Sequence, residues 1–454
     1  MLNREDLKEI FKITFPEIFI KDIHWLSQNS MSDSILFYKI ADDQKSEETF
    51  RERIKTANFA LLVVNKSIPN LLPNSIVIEE SKWPGIQYEI LNRLYPLPEL
   101  KFIGVTGTNG KTTTTDLVLQ IGHLIGKNGI SIGTLGVREY NKTILDFGLT
   151  SPGQIDLRKF LFLYGKDKDF CVMEASSHAL EQDRLHGISF DVAGWLSFTQ
   201  DHLDYHATMD EYYKAKALIL KKLKPKAKLF VPVEQKELFK KLSQTSNRAQ
   251  VAKEIQDSLP IFFSTQFNKN NLEVAYSIIH EVFDLHFKIN YQNLLPPDGR
   301  FYIQPYLSNF IIVDFAHTPD ALDNICRGIK STFPGYKLKV LFGCGGDRDR
   351  KKRPLMASVV CDWADEVYIT SDNPRNEDPL QIISDILKGI KGKTFQVIPE
   401  RPKAVKLAFS ELKDQEVLLL AGKGHEDYIL IHGVKYPYSD IREVDEFISR
   451  NKNG

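Results

Sequence analysis

Short apolar runs, each bounded by turn-forming or charged residues, recur along the chain after about residue 100. They fall at 102–105, 170–173, 192–198, 229–233, 310–313, 338–342, 367–370 and 417–420. Runs this short and this continuously apolar fit strands buried on both faces. Stretches with helical spacing, such as 112–125 and 319–331, separate many of them. The alternation predicts an α/β fold with parallel sheets and helical crossovers.

Two breaks interrupt the pattern. The segment YPLPE at 95–99 reads as a linker, and NLLPPDG at 293–299 reads as a second one. They predict three domains, 1–98, 99–297 and 298–454. The first is a small α/β domain, the second a P-loop-type ATPase domain with a mostly parallel sheet, the third a Rossmann-like α/β domain. A chain of 454 residues suits three domains, at roughly 150 residues each.

Composition narrows the class. Lys+Arg and Asp+Glu balance at 59 each, so no global field draws the chain to nucleic acid or anionic membrane. No apolar run approaches the length of a membrane-spanning helix. Cys171, Cys326, Cys344 and Cys361 lack disulfide-type or zinc-type spacing. The charged start, Met1 to Lys8, has no apolar core of a signal peptide. The expectation is a cytoplasmic soluble protein in a reducing compartment.

The first chemical motif is GVTGTNGKTT at 104–113. A predicted strand runs into it and a predicted helix leaves it. Gly107 and Gly110 let backbone N–H groups close on phosphate oxygens, and the helix N-terminus favours negative charge. Lys111 would reach terminal phosphates and Thr112 could hold magnesium. Val105 stands where the strict Walker pattern needs glycine. Taken alone, the loop fits a kinase, an ATPase or a ligase.

Glu174 follows a predicted strand, where doubly wound sheets place ligands. It is a candidate magnesium ligand, with a solvated loop acid as the plain alternative. DHLDYH at 201–206 also follows a strand and could serve metal or nucleotide. Lys216 lies among other lysines in a helical segment, and by itself reads as a solvated face. In the last third, four predicted strands end in polar loops at 314–320, 343–350, 371–375 and 421–426. Such loops gather on one edge of an open parallel sheet. They mix Arg348, Arg375 and Lys423 with Asp372 and Glu426, which fits either a zwitterionic amino acid or a structural ion-pair network.

Taken together, the motifs GVTGTNGKTTT, MEASSHALEQDR, DHLDYHATMDEYYKAK, VDFAHTPDAL, FGCGGDRDRKKRPLM, SDNPRNEDP and AGKGHED resemble the Mur ligases over about residues 100 to 445. The resemblance implies ATP-dependent amide-bond formation through an acyl phosphate, with Mg²⁺, in peptidoglycan synthesis. It implies small-molecule substrates and a monomer. It places the ATP phosphates on Gly107, Thr108, Asn109, Gly110, Lys111, Thr112 and Thr113, with Arg300, Asp314 and His317 as further nucleotide contacts. Lys111, Glu174, His202 and Lys216 would be the catalytic set. Thr112, Glu174 and His202 would be magnesium ligands and Lys216 an N6-carboxylysine. Thr150, Ser151, Ser176, Gln182 and Arg184 would hold the UDP-muramoyl peptide. Arg348, Asp372, Asn373, Pro374, Arg375, Gly422 and Glu426 would hold the incoming amino acid. Asp-Asn-Pro-Arg at 372–375 resembles the version that takes meso-diaminopimelate, whose second carboxylate Arg375 would grip.

The chain departs from the family at four places. It has Ser197-Phe-Thr-Gln200 before DHLD in place of Asn-Leu-Thr-Arg, and Leu149 before Thr150. It has Asp298-Gly-Arg300 in place of Pro-Gly-Arg, and no Asp-Ser-Arg near Ser27-Gln-Asn29, so uridine contacts stay unassigned. Folylpolyglutamate synthetases share the ATP loop but usually lack the N-terminal domain and the Asp-Asn-Pro-Arg loop.

Overall fold

The computed structural model describes residues 1–284 and 289–451. Three α/β sheets carry the fold. The first has four strands in the order Asp22–His24, Ser34–Tyr38, Leu61–Val64 and Ser75–Val77, all parallel. The middle sheet has eight, in the order Ala249–Val251, Leu229–Val231, Val192–Trp195, Lys101–Thr106, Phe170–Glu174, Gly129–Gly133, Gly136–Glu139 and Lys142–Leu145. Its last two form an antiparallel edge on Gly129–Gly133, which pairs parallel with Phe170–Glu174. The third sheet has six strands, Tyr302–Tyr306, Asn309–Asp314, Glu416–Ala421, Lys337–Phe342, Glu366–Ile369 and Thr394–Val397. All but the first are parallel.

The strands read as continuous apolar runs because both faces are covered. Val417, Leu418, Leu419, Leu420 and Ala421 are fully buried. The expected runs fall on observed strands, most shifted by one residue at an end, while 192–198 and 229–233 end earlier, at Trp195 and Val231. The expected helices appear as Lys111–Leu124 and Pro319–Thr332. Helix Pro319–Thr332 starts where such signals predict, with the Thr318 side chain capping the Ala321 N–H and proline in the first turn.

The chain divides into two compact units. One comprises 1–104, 126–193 and 215–227, the other 105–125, 194–214 and 228–454.

Candidate active site

In the second unit, the phosphate loop leaves strand Lys101–Thr106 and enters helix Lys111–Leu124. Gly110 turns the chain with φ +87°, and a Cβ there would lie 2.4 Å from Asn271 Oδ1. Only glycine meets both demands cheaply. Gly110→Ala is expected to raise the KM for ATP about tenfold, because roughly 1–2 kcal/mol of backbone strain must be relieved by moving the loop. ATP titration checks this, and an unchanged KM would contradict it.

The loop is held by residues of the segment that follows strand Val192–Trp195 and by Tyr212. The Thr108 N–H donates to Ser197 O at 2.9 Å, and the Asn109 N–H donates to Ser197 Oγ at 2.9 Å. Thr108 Oγ1 donates to Thr199 O and accepts from the Thr199 N–H, both at 3.1 Å, and from the Tyr212 hydroxyl at 3.2 Å. Ser197, where the family usually has Asn, thus fastens the loop together with the matching Thr199. Asn109 Nδ2 donates to Asp320 Oδ2 at 2.6 Å. Lys111 Nζ donates to Gly107 O at 2.9 Å and Thr108 O at 3.0 Å.

His202 stands next to the buried Asp201, whose Oδ2 is 3.4 Å from His202 Nε2 and whose other oxygen pairs with Lys352. Burial pushes the Asp201 carboxyl up, but His202 and Lys352 outweigh it and hold it well below the usual range. Arg300 lies over the Phe315 ring at 4.6 Å, with Nη2 3.5 Å from Thr112 Oγ1, at the limit of a hydrogen bond. Asp314 accepts the N–H groups of Phe301 at 2.7 Å and Ala316 at 2.8 Å. It fixes the turn that carries Arg300. Burial pushes its carboxyl up, against the pull of Arg300. His317 Nδ1 lies 2.7 Å from Phe315 O.

The four polar loops of the last third of the chain also lie in this unit. They leave strands Asn309–Asp314, Glu416–Ala421, Lys337–Phe342 and Glu366–Ile369, which are neighbours in the sheet. Arg375 Nη1 donates to Gly346 O at 2.8 Å, fixing one corner of the guanidinium. A Cβ on Gly346 would lie 1.9 Å from Pro374 O, so the two loops touch only because this residue is glycine. Beneath them the buried Arg353 donates to Glu377 at 2.7 and 3.0 Å and to Asp385 at 3.0 Å. Lys388, Arg350 and Arg353 hold the Asp385 carboxyl well below the usual range, against the opposing push of burial.

A depressed folded pKa stabilises the fold above the unfolded value, near pH 3.9, and that stability is lost as pH falls through the lower folded value. Asp385→Asn is therefore expected to lower Tm by a constant amount from about pH 8 to 5, with the gap to wild type narrowing below about pH 4. Thermal unfolding across pH checks it, and a gap as wide in strong acid as at neutrality would contradict it.

In the first unit, Glu174 ends strand Phe170–Glu174 and is 2% exposed, so it is no solvated loop acid. Its carboxylate accepts the Thr134 N–H at 2.8 Å and the Thr134 hydroxyl at 3.2 Å. Thr134 Oγ1 is 3.2 Å from Thr150 Oγ1. Ser151 Oγ donates to Glu174 O at 2.7 Å and lies 3.2 Å from Ser176 Oγ. Arg184 donates to Ser151 O at 2.9 Å and to Gln182 Oε1 at 3.0 and 2.7 Å. Thr150, Ser151, Ser176, Gln182 and Arg184, scattered over the sequence, are thus joined in one chain of hydrogen bonds running to Glu174. Lys216 is 1% exposed, which removes the reading of a solvated lysine face. Among the described residues no three His, Cys, Asp or Glu side chains gather as a metal site, and no helix is long and apolar enough to cross a membrane.

Residues 105–293 match the Mur ligase middle domain, and 299–424 match the family described as "Mur ligase, glutamate ligase domain". The UDP-N-acetylmuramoyl-L-alanyl-D-glutamate–2,6-diaminopimelate ligase of Aquifex aeolicus is 34% identical, over 93% of this chain and 92% of its own length. The enzyme of that name from Bacillus licheniformis is 36% identical, over 76% and 78%. The chain belongs to the Mur ligase family. A solved structure of such a diaminopimelate ligase matches with TM-score 0.62 and 26% identity, covering 98% of this chain and 99% of that one. MurF ligase of Thermotoga maritima in complex with ADP, at TM-score 0.62 and 15% identity over 96% and 99%, shares the fold.

Proposed function

We infer that the chain is an ATP-dependent ligase that adds meso-diaminopimelate to UDP-N-acetylmuramoyl-L-alanyl-D-glutamate in peptidoglycan synthesis. The reading rests on its relatives and on one observation above all. Arg375, anchored at one corner by Gly346, stands on the loop that carries Asp372, and Glu426 accepts from Asn373 of that loop at 2.8 Å. An arginine fork grips a carboxylate and acids grip an ammonium, so this group suits the amino-acid head at the far end of diaminopimelate. Lysine ends in an ammonium without that carboxylate.

The chemistry follows from positions. The γ-phosphoryl of ATP passes to the peptide's terminal carboxylate, giving an acyl phosphate and ADP. The amine attacks the acyl carbon, and inorganic phosphate leaves from the tetrahedral intermediate. The loop at Gly107–Thr113 and the start of helix Lys111–Leu124 orient the phosphates, and Lys111 neutralises charge on the oxygens in transit. Thr112, Glu174 and His202 are assigned as Mg²⁺ ligands. Hard oxygen donors and one imidazole fit a cation that takes few protein ligands beside a nucleotide, and it would supply charge neutralisation on the phosphates. Buried Lys216 is assigned as the N6-carboxylysine, and Thr150, Ser151, Ser176, Gln182 and Arg184 as the muramoyl-peptide contacts. The functional segments in this reading are 1–98 for the UDP substrate, 99–297 for ATP and 298–454 for the amino acid. The enzyme acts as a cytoplasmic monomer. Phosphate release should require ATP, the nucleotide dipeptide and meso-diaminopimelate together, and equal release with ATP alone would replace this reading with an ATPase.

A further inference from the structure

Lys423 has no assigned role, yet its ammonium group is fully buried. Its Nζ donates to Asn373 Oδ1 at 2.7 Å, Glu426 Oε2 at 2.9 Å and Tyr428 O at 2.6 Å, and lies 3.3 Å from Asp372 Oδ1. A buried cation is tolerable only with such partners. Asn373, assigned to the amino acid by resemblance, spends its amide inside the protein. Its Oδ1 accepts from Lys423 and from the Leu430 N–H at 2.9 Å, and its Nδ2 donates to Glu426 Oε2 at 2.8 Å. Lys423 and Asn373 thus hold the same oxygen of Glu426.

The Leu430 donor belongs to a hairpin, Tyr428–Ile431 with Val434–Pro437. The hairpin also clamps the backbone of Arg375, which has φ +53°. The Arg375 N–H donates to Leu430 O at 3.0 Å, and the His432 N–H donates to Arg375 O at 2.8 Å. An arginine in the left-handed region persists only where its surroundings hold it there. One lysine and one hairpin therefore fix Asp372, Asn373, Arg375 and Glu426 together.

We propose that Lys423, acting with the hairpin Tyr428–Pro437, is the positioning residue of the amino-acid site, and that Asn373 serves as its relay to Glu426 and not as a substrate contact. The proposal rests on the amino-acid reading of this site. Lys423 touches neither substrate nor phosphate in this account. Its loss should weaken amino-acid capture and leave ATP use intact.

The test is steady-state kinetics of the full-length Lys423→Met enzyme. The KM for meso-diaminopimelate should rise about thirtyfold, with the KM for ATP changed less than about twofold and kcat at saturating amine within about threefold. A general loss of structure would move all three together, and that outcome in a folded protein overturns the proposal, as does an unchanged KM for the amine. Should Lys423→Met not fold, Leu430→Pro decides. It removes the N–H given to Asn373 and locks φ at 430, beside the carbonyl that accepts the Arg375 N–H. It should raise the amine KM about fivefold with ATP unaffected, and no rise overturns the proposal. If the wild-type enzyme uses L-lysine in place of diaminopimelate, the substrate reading fails and the same KM split is read with lysine.

Discussion

Lys111→Ala is expected to lower kcat about a thousandfold, with the KM for diaminopimelate changed less than about threefold. The ammonium group sits on the carbonyls of Gly107 and Thr108, in a loop whose Thr108 and Asn109 N–H groups are spent on Ser197. Negative charge on the transferring phosphoryl group must be met at the moment of transfer, and one well-placed donor of this kind is worth about 3–4 kcal/mol. The loop itself should survive loss of the two Lys111 bonds, since Ser197, Thr199, Tyr212 and Asp320 still fasten it. Steady-state rates beside a thermal melt check this. A kcat within tenfold of wild type would show that Lys111 carries no transferred charge.

Arg375→Ala is expected to lower kcat/KM for meso-diaminopimelate by a factor of about 100 to 1,000, leaving the KM for ATP within about twofold. Removing one side of a charge-assisted pair leaves the ligand's carboxylate desolvated and unmet, a loss of about 3–4 kcal/mol. Arg375→Lys should recover little, because a single ammonium group cannot span both the Gly346 carbonyl and a carboxylate. Full activity in either variant would remove Arg375 from recognition. The two substitutions separate the site's tasks, since one should slow transfer and the other should weaken capture of the amine.

Much of this was legible before any coordinates. Continuous apolar runs located the strands, because a sheet covered on both faces needs no alternation. The glycine-lysine-threonine turn located the phosphate loop, and the polar loops after four strands lie on neighbouring strands of the third sheet as expected. Other features were out of reach. Lys216 by itself reads as solvent-facing from its neighbours, and only tertiary packing buries it. Asn109 meets Asp320 across 211 residues, a pairing no local spacing encodes. Ser197 departs from the family's Asn, yet it holds the loop by hydrogen bonds of its own, beside Thr199, which matches the family. A signal for them existed, since they follow strand Val192–Trp195 where ligands gather. Lys423 lay in plain view between two glycines, but its burial and its grip on Asn373 came only with the fold.

The central claim is that this chain joins diaminopimelate to the muramoyl dipeptide, and the direct measurement is a paired assay. Purified enzyme is given ATP, Mg²⁺ and UDP-N-acetylmuramoyl-L-alanyl-D-glutamate, with either meso-diaminopimelate or L-lysine, and kcat/KM is taken from phosphate release. The Arg375 site predicts a preference for diaminopimelate of at least about a hundredfold. Equal or better turnover with lysine would contradict it.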